Sequence, residues 1–335
     1  MQNKQKIIAG ISILAGLTIL LFIFFHNKEE SKVNLRLGYF PNISHAQALI
    51  GVSEGIFQKT LGNDIVLSTK TFNAGPSEIE ALFAGEIDIG YIGPSPAING
   101  YVKSNGQALK IIAGSASGGA SLIIQPELVD KFNDGKILIG KKVVTPQQGN
   151  TQDVSLRHYL REKGLFDKVN ILPIANPEQL SLFKQKEIAG AWAPEPWATR
   201  LVKEAGGVRI IDERDLWKDK MFCVSNIIVS GKFLKDHPEI VVKFLKAHLE
   251  ITQWLNDNPE QAKLVVNNEI EKITSNKISI DVLNEAWTMF DFTFLPLQET
   301  VFEFADWAYV EGFLGKNKPD LKELYDLNYL DYAAN

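Results

Sequence analysis

Hydrophobic and polar positions alternate along residues 33–113 in a rhythm of short apolar strands and longer helical stretches. The pattern predicts strands at residues 33–39, 65–71, 87–91 and 109–113. It predicts helices between them at about 45–61, 77–84 and 96–103. Strands that alternate with helices in this way form a mostly parallel sheet covered by helices.

The same rhythm returns in the middle of the chain and then gives way to helices. Further strands are predicted at 142–145, 169–173, 188–193 and 221–230, with helices at 153–163 and 178–186. After residue 230 an apolar stripe predicts a long helix whose N-cap and first turn are Asp236 and Pro238. The repetition predicts an α/β fold with two lobes and two hinge crossings, near 119–122 and 222–228.

This organisation divides the chain into four parts. Residues 33–120 form the first part of lobe 1, 121–226 form lobe 2, and 227–335 complete lobe 1 and add the C-terminal helices. Residues 1–32 form a separate N-terminal segment that contains an apolar run, IIAGISILAGLTILLFIFF, at 7–25. As a helix, this run would span roughly 28 Å, close to the ~30 Å hydrocarbon core of a bilayer.

The N-terminal segment predicts export. Lys4 and Lys6 precede the apolar run, which favours a cytoplasmic N-terminus. Small residues suited to signal cleavage are missing after it, and no cysteine lies nearby to accept a lipid. We therefore predict an uncleaved membrane anchor, with a cleaved signal peptide as the alternative. Both alternatives place the chain after Lys32 outside the cytoplasm.

Composition narrows the class of protein. The 335 residues are 45% hydrophobic and 22% charged, as in a globular protein, and the net charge of -5 argues against nucleic-acid binding. A single cysteine, Cys223, excludes a disulfide within the chain. The five histidines lack the spacing of known metal motifs, so we predict neither a metal centre nor a cofactor.

Loops that lead from predicted strands into helices carry small and hydroxyl residues and little charge. Ligands of parallel sheets bind at the carboxyl ends of the strands, where such loops lie. In the first loop, Ser44 and Gln47 have the spacing of a capping box. The other loops are 73–77, 93–96, 147–151 and 194–197. Each alone could be an ordinary cap or turn, but five together favour a site for an anion held by backbone and hydroxyl donors.

Aromatic and ionisable residues near these loops leave alternatives open. Tyr39, Phe40, Trp192 and Trp197 could cover an apolar part of a ligand or could belong to the core. His45 could act as a base and Glu195 as an acid, but a histidine at a helix start is more often a donor or a cap. Sequence motifs of serine hydrolases, P-loops and dinucleotide-binding sites are missing from the chain.

Five segments together carry a family resemblance. They are GYFPNISHAQALIGVSEGIFQKTLG, FNAGPSEIEALFAGEIDIGYIGPSPAI, KKVVTPQQGNTQD, AWAPEPWATRL and HPEIVVKFLKAHLEITQWLNDNPEQA. In this order they resemble the nitrate/sulfonate/taurine-type substrate-binding proteins of ABC importers, above all the aliphatic sulfonate-binding group. The resemblance runs from about residue 33 to the C-terminus.

The resemblance implies a periplasmic-binding-protein fold and a binding protein rather than an enzyme. It implies capture of a small organic anion, an aliphatic sulfonate, on the extracytoplasmic face, and delivery to a permease driven by an ATPase. Carried over by position, the ligand-binding residues it implies are Asn42, Ser44, His45, Gly75, Pro76, Pro94, Ser95, Gly149, Asn150, Thr151, Glu195 and Trp197.

Other ligands and one other class of protein are alternatives. Nitrate, taurine, bicarbonate and pyrimidine precursors are bound within the same family. The fold also resembles the thiamin-precursor synthases, which share a Pro-Asn-x-x-His start like residues 41–45. Those enzymes carry a cysteine-rich motif, whereas Cys223 stands alone in this chain.

Overall fold

The computed structural model describes residues 32–335, which form two β-sheets with helices on their faces. The strands are β1 Val33–Tyr39, β2 Ile65–Thr71, β3 Ile89–Ile92, β4 Leu109–Gly118, β5 Ala120–Ile124, β6 Lys142–Thr145, β7 Asn170–Pro173, β8 Gly190–Pro194, β9 Val208–Asp212, β10 Cys223–Ser230 and β11 Phe290–Phe292. The helices are α1 Ala46–Ser53, α2 Ile56–Leu61, α3 Gly75–Phe83, α4 Pro94–Lys103, α5 Thr151–Glu162, α6 Asn176–Lys184, α7 Trp197–Ala205, α8 Gly231–Asp236, α9 Pro238–Asp257, α10 Pro259–Thr274, α11 Ile280–Trp287, α12 Gln298–Val310 and α13 Asn328–Ala334.

The two sheets share one plan. Sheet I has the strand order β11-β4-β10-β3-β1-β2, and sheet II has the order β7-β6-β8-β5-β9. In sheet I, β1 runs parallel to β2 and β3, while β10 is antiparallel to β3 and β4. In sheet II, β6 runs parallel to β7 and β8, while β5 is antiparallel to β8 and β9. Each sheet is thus mostly parallel, with β10 and the edge strand β11 reversed in sheet I and β5 reversed in sheet II. Loops after the parallel strands gather at one edge of each sheet.

We call sheet I with α1–α4 and α8–α13 half I, and sheet II with α5–α7 half II. The chain passes from half I to half II at Gly118 and Gly119, at the start of the predicted crossing at 119–122, whose later residues belong to β5. Both glycines have positive φ, and a side chain at Gly119 would lie 2.0 Å from the ring of Phe290. Only glycine fits both the backbone and the space at this crossing.

The return crossing lies earlier than predicted. The chain returns over residues 213–222, through two short 3-10 turns, Glu213–Leu216 and Lys218–Lys220. The predicted position, 222–228, falls largely within β10, which is hydrogen-bonded between β3 and β4 inside sheet I. The apolar pattern marked this strand correctly but carried no information about which sheet it joins.

Each half has its own hydrophobic core. In half I the core includes Leu37, Ile89 and Phe244, and the predicted apolar stripe of α9 is buried against α1, α2 and α13. In half II, Leu156 and Trp192 are fully buried. Burial of apolar side chains at about 25 cal/mol per Å² is the main stabilising term for each half.

Four helices, α3 to α6, begin two residues earlier than predicted, and two further boundaries differ more. The helix predicted at 45–61 is a 3-10 turn followed by α1 and α2, because Gly55 takes a left-handed conformation with φ +66°. The long helix begins at Pro238, but its N-cap is His237, since Asp236 already ends α8. The predicted membrane anchor at 7–25 lies outside the described residues. Within residues 32–335, no helix combines the length and apolar character that crossing a bilayer requires.

Candidate functional site

A narrow cleft lies between the two sheets, where loops from both halves run into helices. Its volume is about 50 Å³, room for a few water molecules. Half I contributes the junctions before α1, α3 and α4 and one residue of β10; half II contributes the junctions before α5, α6 and α7. The lining residues are Phe40, Asn42, Ser44, His45, Asn73, Ala74, Gly75, Gly93, Pro96, Pro146, Asn150, Thr151, Gln152, Asn176, Pro194 and Val224.

The structure brings half of the predicted ligand-binding residues into this cleft. The predicted residues that line it are Asn42, Ser44, His45, Gly75, Asn150 and Thr151. Pro76 and Gly149 line a neighbouring groove of about 370 Å³. Pro94, Ser95, Glu195 and Trp197 line neither space. Convergence in space does not test contact with a ligand, so all twelve stay predictions in that respect.

Several lining residues were not among those predicted. Asn73 and Gly93 belong to loops that the sequence had marked, but neither was singled out. Asn176 opens α6 after β7, at a strand end that the sequence reasoning passed over. The Asn-Pro pair at 176–177, directly after a strand, is the sequence signal that could have found it.

His45 is buried and uncharged in the wall of the cleft. Its Nδ1 accepts a hydrogen bond from the backbone N–H of Phe40 at 3.0 Å, and the two rings stack with centroids 4.4 Å apart. Burial lowers the pKa of His45 to about 3. A neutral imidazole that accepts at Nδ1 carries its proton on Nε2. His45 therefore offers the cleft a neutral hydrogen-bond donor.

The first junction begins differently from the predicted capping box. The side chain of Asn42 accepts from the backbone N–H of Ser44 and starts the 3-10 turn Ile43–His45. Gln47 does not reach back to Ser44, because it is buried and bonds with the carbonyl and hydroxyl of Ser115 at 2.7 and 3.0 Å. The capping-box prediction is wrong. The Ser44 hydroxyl has no hydrogen-bond partner among residues 32–335, so it is free to serve a ligand.

The side chain of Asn150 caps the start of α5. Its Oδ1 accepts from the backbone N–H of Asp153 at 2.9 Å, and its Nδ2 donates to Gln152 at 3.1 Å. Asp153 in turn accepts from Thr145 and from the N–H of Gly149. The Thr151 hydroxyl, by contrast, has no partner in the described part of the chain. Of these two neighbours, Thr151 is the one whose side chain makes no hydrogen bond within residues 32–335 and is wholly available to a ligand.

Prolines limit the backbone donors of α4. The first residues of a helix normally offer unpaired N–H groups. Pro94 and Pro96 have none, which leaves Ser95 as the N–H donor of this turn. The hydroxyl of Ser95 is buried, and residues 32–335 provide it no partner.

Glu195 and Trp197 are held by contacts inside half II. Glu195 accepts from the backbone N–H of Thr199 at 2.9 Å, and its other oxygen lies 2.9 Å from Arg209. Burial raises the pKa of Glu195, and Arg209 opposes that rise. Trp197 is half-buried, with the guanidinium of Arg200 4.5 Å from its ring centroid. These contacts fix the start of α7.

Electrostatically, the cleft is neutral. None of the lining side chains given above is an aspartate, glutamate, lysine or arginine. Within residues 32–335, no group of three or more histidine, cysteine, aspartate or glutamate side chains could hold a metal ion. The arrangement presents hydroxyl, amide and imidazole groups together with backbone N–H groups, which suits hydrogen bonding to a small polar ligand.

Comparison with known proteins places these features in a family. The sequence pattern of the NMT1-like family matches residues 28–268. A Brucella abortus protein named only as a binding protein is 29% identical over 236 residues, which is 69% of each chain. The taurine-binding periplasmic protein of Escherichia coli is 24% identical over 72% of this chain and 73% of its own.

Solved structures show the same fold. The periplasmic nitrate-binding protein of Synechocystis PCC 6803 superposes with a TM-score of 0.74 at 16% identity, over 91% of this chain and 89% of its own. The periplasmic aliphatic sulphonate-binding protein of Escherichia coli superposes with a TM-score of 0.70 at 18% identity, over 90% of this chain and 99% of its own. Two sheets joined at a hinge are thus a periplasmic-binding-protein fold.

Proposed function

Because this chain belongs to the NMT1-like family, we propose that it is the substrate-binding component of an ABC-type importer. In this role it captures a small organic anion outside the cytoplasm and delivers it to a permease coupled to an ATPase. The observation that carries the proposal is the neutral, donor-rich cleft between two sheets that are joined at a hinge. Relatives named for taurine, sulfonate and nitrate binding support it.

The ligand we propose is an aliphatic sulfonate. A sulfonate is ionised throughout the physiological pH range and only accepts hydrogen bonds, so neutral donors can hold it. The Nε2–H of His45 and the hydroxyls of Ser44 and Thr151 supply such donors from both halves of the molecule. Nitrate, taurine, bicarbonate and pyrimidine precursors are the alternatives that the family offers.

A binding role suits the cleft better than catalysis does. A general base must accept a proton near neutral pH, and His45, with a pKa of about 3, is a poor one. Cys223 is buried in β10, and burial raises the pKa of its thiol to about 12, which makes it a weak nucleophile. The thiamin-precursor-synthase alternative would need a general base or a nucleophile other than His45 and Cys223.

The domain division and the mode of attachment are further parts of the proposal. We take residues 33–120 and 227–335 as lobe 1 and residues 121–226 as lobe 2, although β10, which begins at Cys223, already belongs to half I. We take residues 1–32 as an N-terminal membrane anchor with a polar linker, which holds the binding protein at the outer face of the membrane.

The ligand class is tested by thermal melting of the full-length protein. We expect butanesulfonate to raise Tm, because a ligand that binds only the folded state stabilises it by about 2.7 kcal/mol at a hundredfold excess over Kd. Butanesulfonamide, which keeps the shape but lacks the charge, is the matched control and should leave Tm unchanged. A shift with nitrate, bicarbonate or a pyrimidine, and none with sulfonates, would replace the ligand assignment and keep the importer.

A further inference from the structure

Gly93 lies where the two halves touch across the cleft. It is the N-cap of α4 in half I, with φ −69° and ψ 156°. Any L-amino acid adopts this extended conformation, so the backbone does not require glycine here. The reason for glycine must be sought in the space around it.

Thr151 of half II occupies the space in front of Gly93. A Cβ atom at residue 93 would lie 2.4 Å from the Thr151 Oγ1, while the next nearest atoms, Val224 O and Thr151 Cβ, are 3.5 and 3.6 Å away. Thr151 is buried at the start of α5, and β-branched side chains are stiff at χ1. A methyl group at residue 93 therefore meets an obstacle that belongs to the other half.

Other contacts hold the halves in the same closed arrangement. The rings of His158 on α5 and Trp307 on α12 stack with centroids 3.9 Å apart. Arg161 forms two hydrogen bonds with Glu311, at 2.6 and 3.0 Å. These contacts lie away from the cleft lining, so they favour closure without limiting what fits inside. The close approach of Gly93 and Thr151 is within the lining itself.

We propose that Gly93 is a specificity-determining residue, because its missing side chain sets how far the halves close and thus the size of ligand they can enclose. This inference rests on the proposed function in one respect, which is that the two halves close in order to enclose a captured ligand. With a side chain at residue 93, the halves stop short of the arrangement that leaves a cleft of about 50 Å³. Position 93 thus tunes ligand size without contributing a hydrogen bond.

Distance measurement across the cleft tests the inference without any ligand. Glu80 on α3 and Glu178 on α6 are exposed, so Glu80→Cys and Glu178→Cys provide sites for spin labels on the two halves. Cys223 is buried and will not compete for label. In labelled Gly93→Ala, we expect the mean distance by double electron–electron resonance to grow by roughly 1 Å or more, since the 2.4 Å contact must relax to about 3.5 Å.

The matched rescue is the double variant Gly93→Ala/Thr151→Ala. It removes Oγ1, leaving nothing nearer than 3.5 Å to the new methyl group, so the distance should return to that of the parent protein. An unchanged distance in Gly93→Ala overturns the inference, and so does a double variant that stays open. If Gly93→Ala does not fold but the double variant does, the result supports the contact between residues 93 and 151. If neither variant folds, the inference is overturned, because opening of the hinge should relieve the clash without unfolding the protein.

A ligand titration separates this inference from the ligand assignment. For ethanesulfonate, Gly93→Ala should bind roughly tenfold more weakly if the closed population falls to about a tenth. If no sulfonate binds the parent protein, the ligand assignment fails while the distance result still decides the role of Gly93.

Discussion

At the scale of single residues, neighbours in one loop have different tasks. Asn150 and Thr151 both line the cleft, and the sequence pattern treated them alike. The structure separates them, because the Asn150 amide already bonds Asp153 and Gln152 at the start of α5, whereas the Thr151 hydroxyl has no partner among residues 32–335. A sequence shows that a polar residue precedes a helix, but not whether its hydrogen-bonding capacity is already used.

Replacement of Thr151 should weaken sulfonate binding and leave stability nearly unchanged. Thr151→Val keeps the shape and removes the hydroxyl, so we expect the loss of a hydrogen bond to a charged group, ~1.5–3 kcal/mol, or roughly a tenfold to hundredfold loss of affinity. Thr151→Ser keeps the hydroxyl and is the control. Calorimetry with butanesulfonate measures the affinity, and urea unfolding measures stability. Equal affinities of the valine and serine variants would remove Thr151 from the site.

At the scale of elements, the sequence predicted what local patterning determines. The bounds of β1, β2 and β6 agree with the prediction, because each is a short segment rich in β-branched and apolar residues that alternate or cluster at the strand period. The break at Gly55 is a local helix end that the glycine itself indicates. Local patterning does not, by contrast, report the partner that buries Gln47, since Ser115 lies 68 positions away. For the same reason, the loops that form the cleft were predicted better than the individual side chains that line it.

The return crossing contains a buried carboxyl that ties it to half II. Glu213 accepts hydrogen bonds from Ser155 on α5 and Trp192 on β8, both at 2.6 Å. Burial raises the pKa of Glu213 to about 7, although these hydrogen bonds oppose the rise. A folded-state pKa above the unfolded value stabilises the protein at low pH, and this contribution is lost as the pH rises from about 4.5 to about 7.

Glu213→Gln should therefore change how stability depends on pH. Glutamine does not titrate, so the variant should gain stability relative to the parent as the pH rises. The difference in the free energy of unfolding, variant minus parent, should rise by up to ~1.4 kcal/mol per pH unit between about pH 4.5 and about pH 7. Urea unfolding at pH 5 and pH 8 measures it. Glu323→Gln, at an exposed position, is the control and should follow the parent. Parallel pH profiles for parent and Glu213→Gln would contradict a raised pKa at this position.

At the scale of the whole molecule, the two-sheet architecture could be predicted, but the closed arrangement of the halves could not. Alternation of strands and helices indicates α/β units, and a long chain indicates more than one core. Contacts such as that of Arg161 with Glu311 join residues 150 positions apart, and no local pattern marks them. The space left between the halves depends on an equally non-local contact, the close approach of Gly93 to Thr151.

Attachment of the protein to the membrane through residues 7–25 can be tested in cells. If residues 7–25 anchor the protein, natively expressed protein should fractionate with membranes and keep its own N-terminus, because an apolar run of this length matches the bilayer. Intact-mass measurement of the extracted protein reads the N-terminus directly. A soluble form that starts after about residue 25 would instead support cleavage, the alternative from the sequence.

The neutral lining of the cleft has a consequence for the rate of capture. With no lysine or arginine in the lining of the cleft to attract it, an anion approaches a molecule whose net charge is -5 and experiences a weak overall repulsion. Added salt screens that repulsion over about 8–10 Å at physiological ionic strength, so association should become faster, not slower, as salt increases. Tight capture then depends on slow release from the closed form. Residence time, rather than the speed of encounter, becomes the property that closure of the two halves controls.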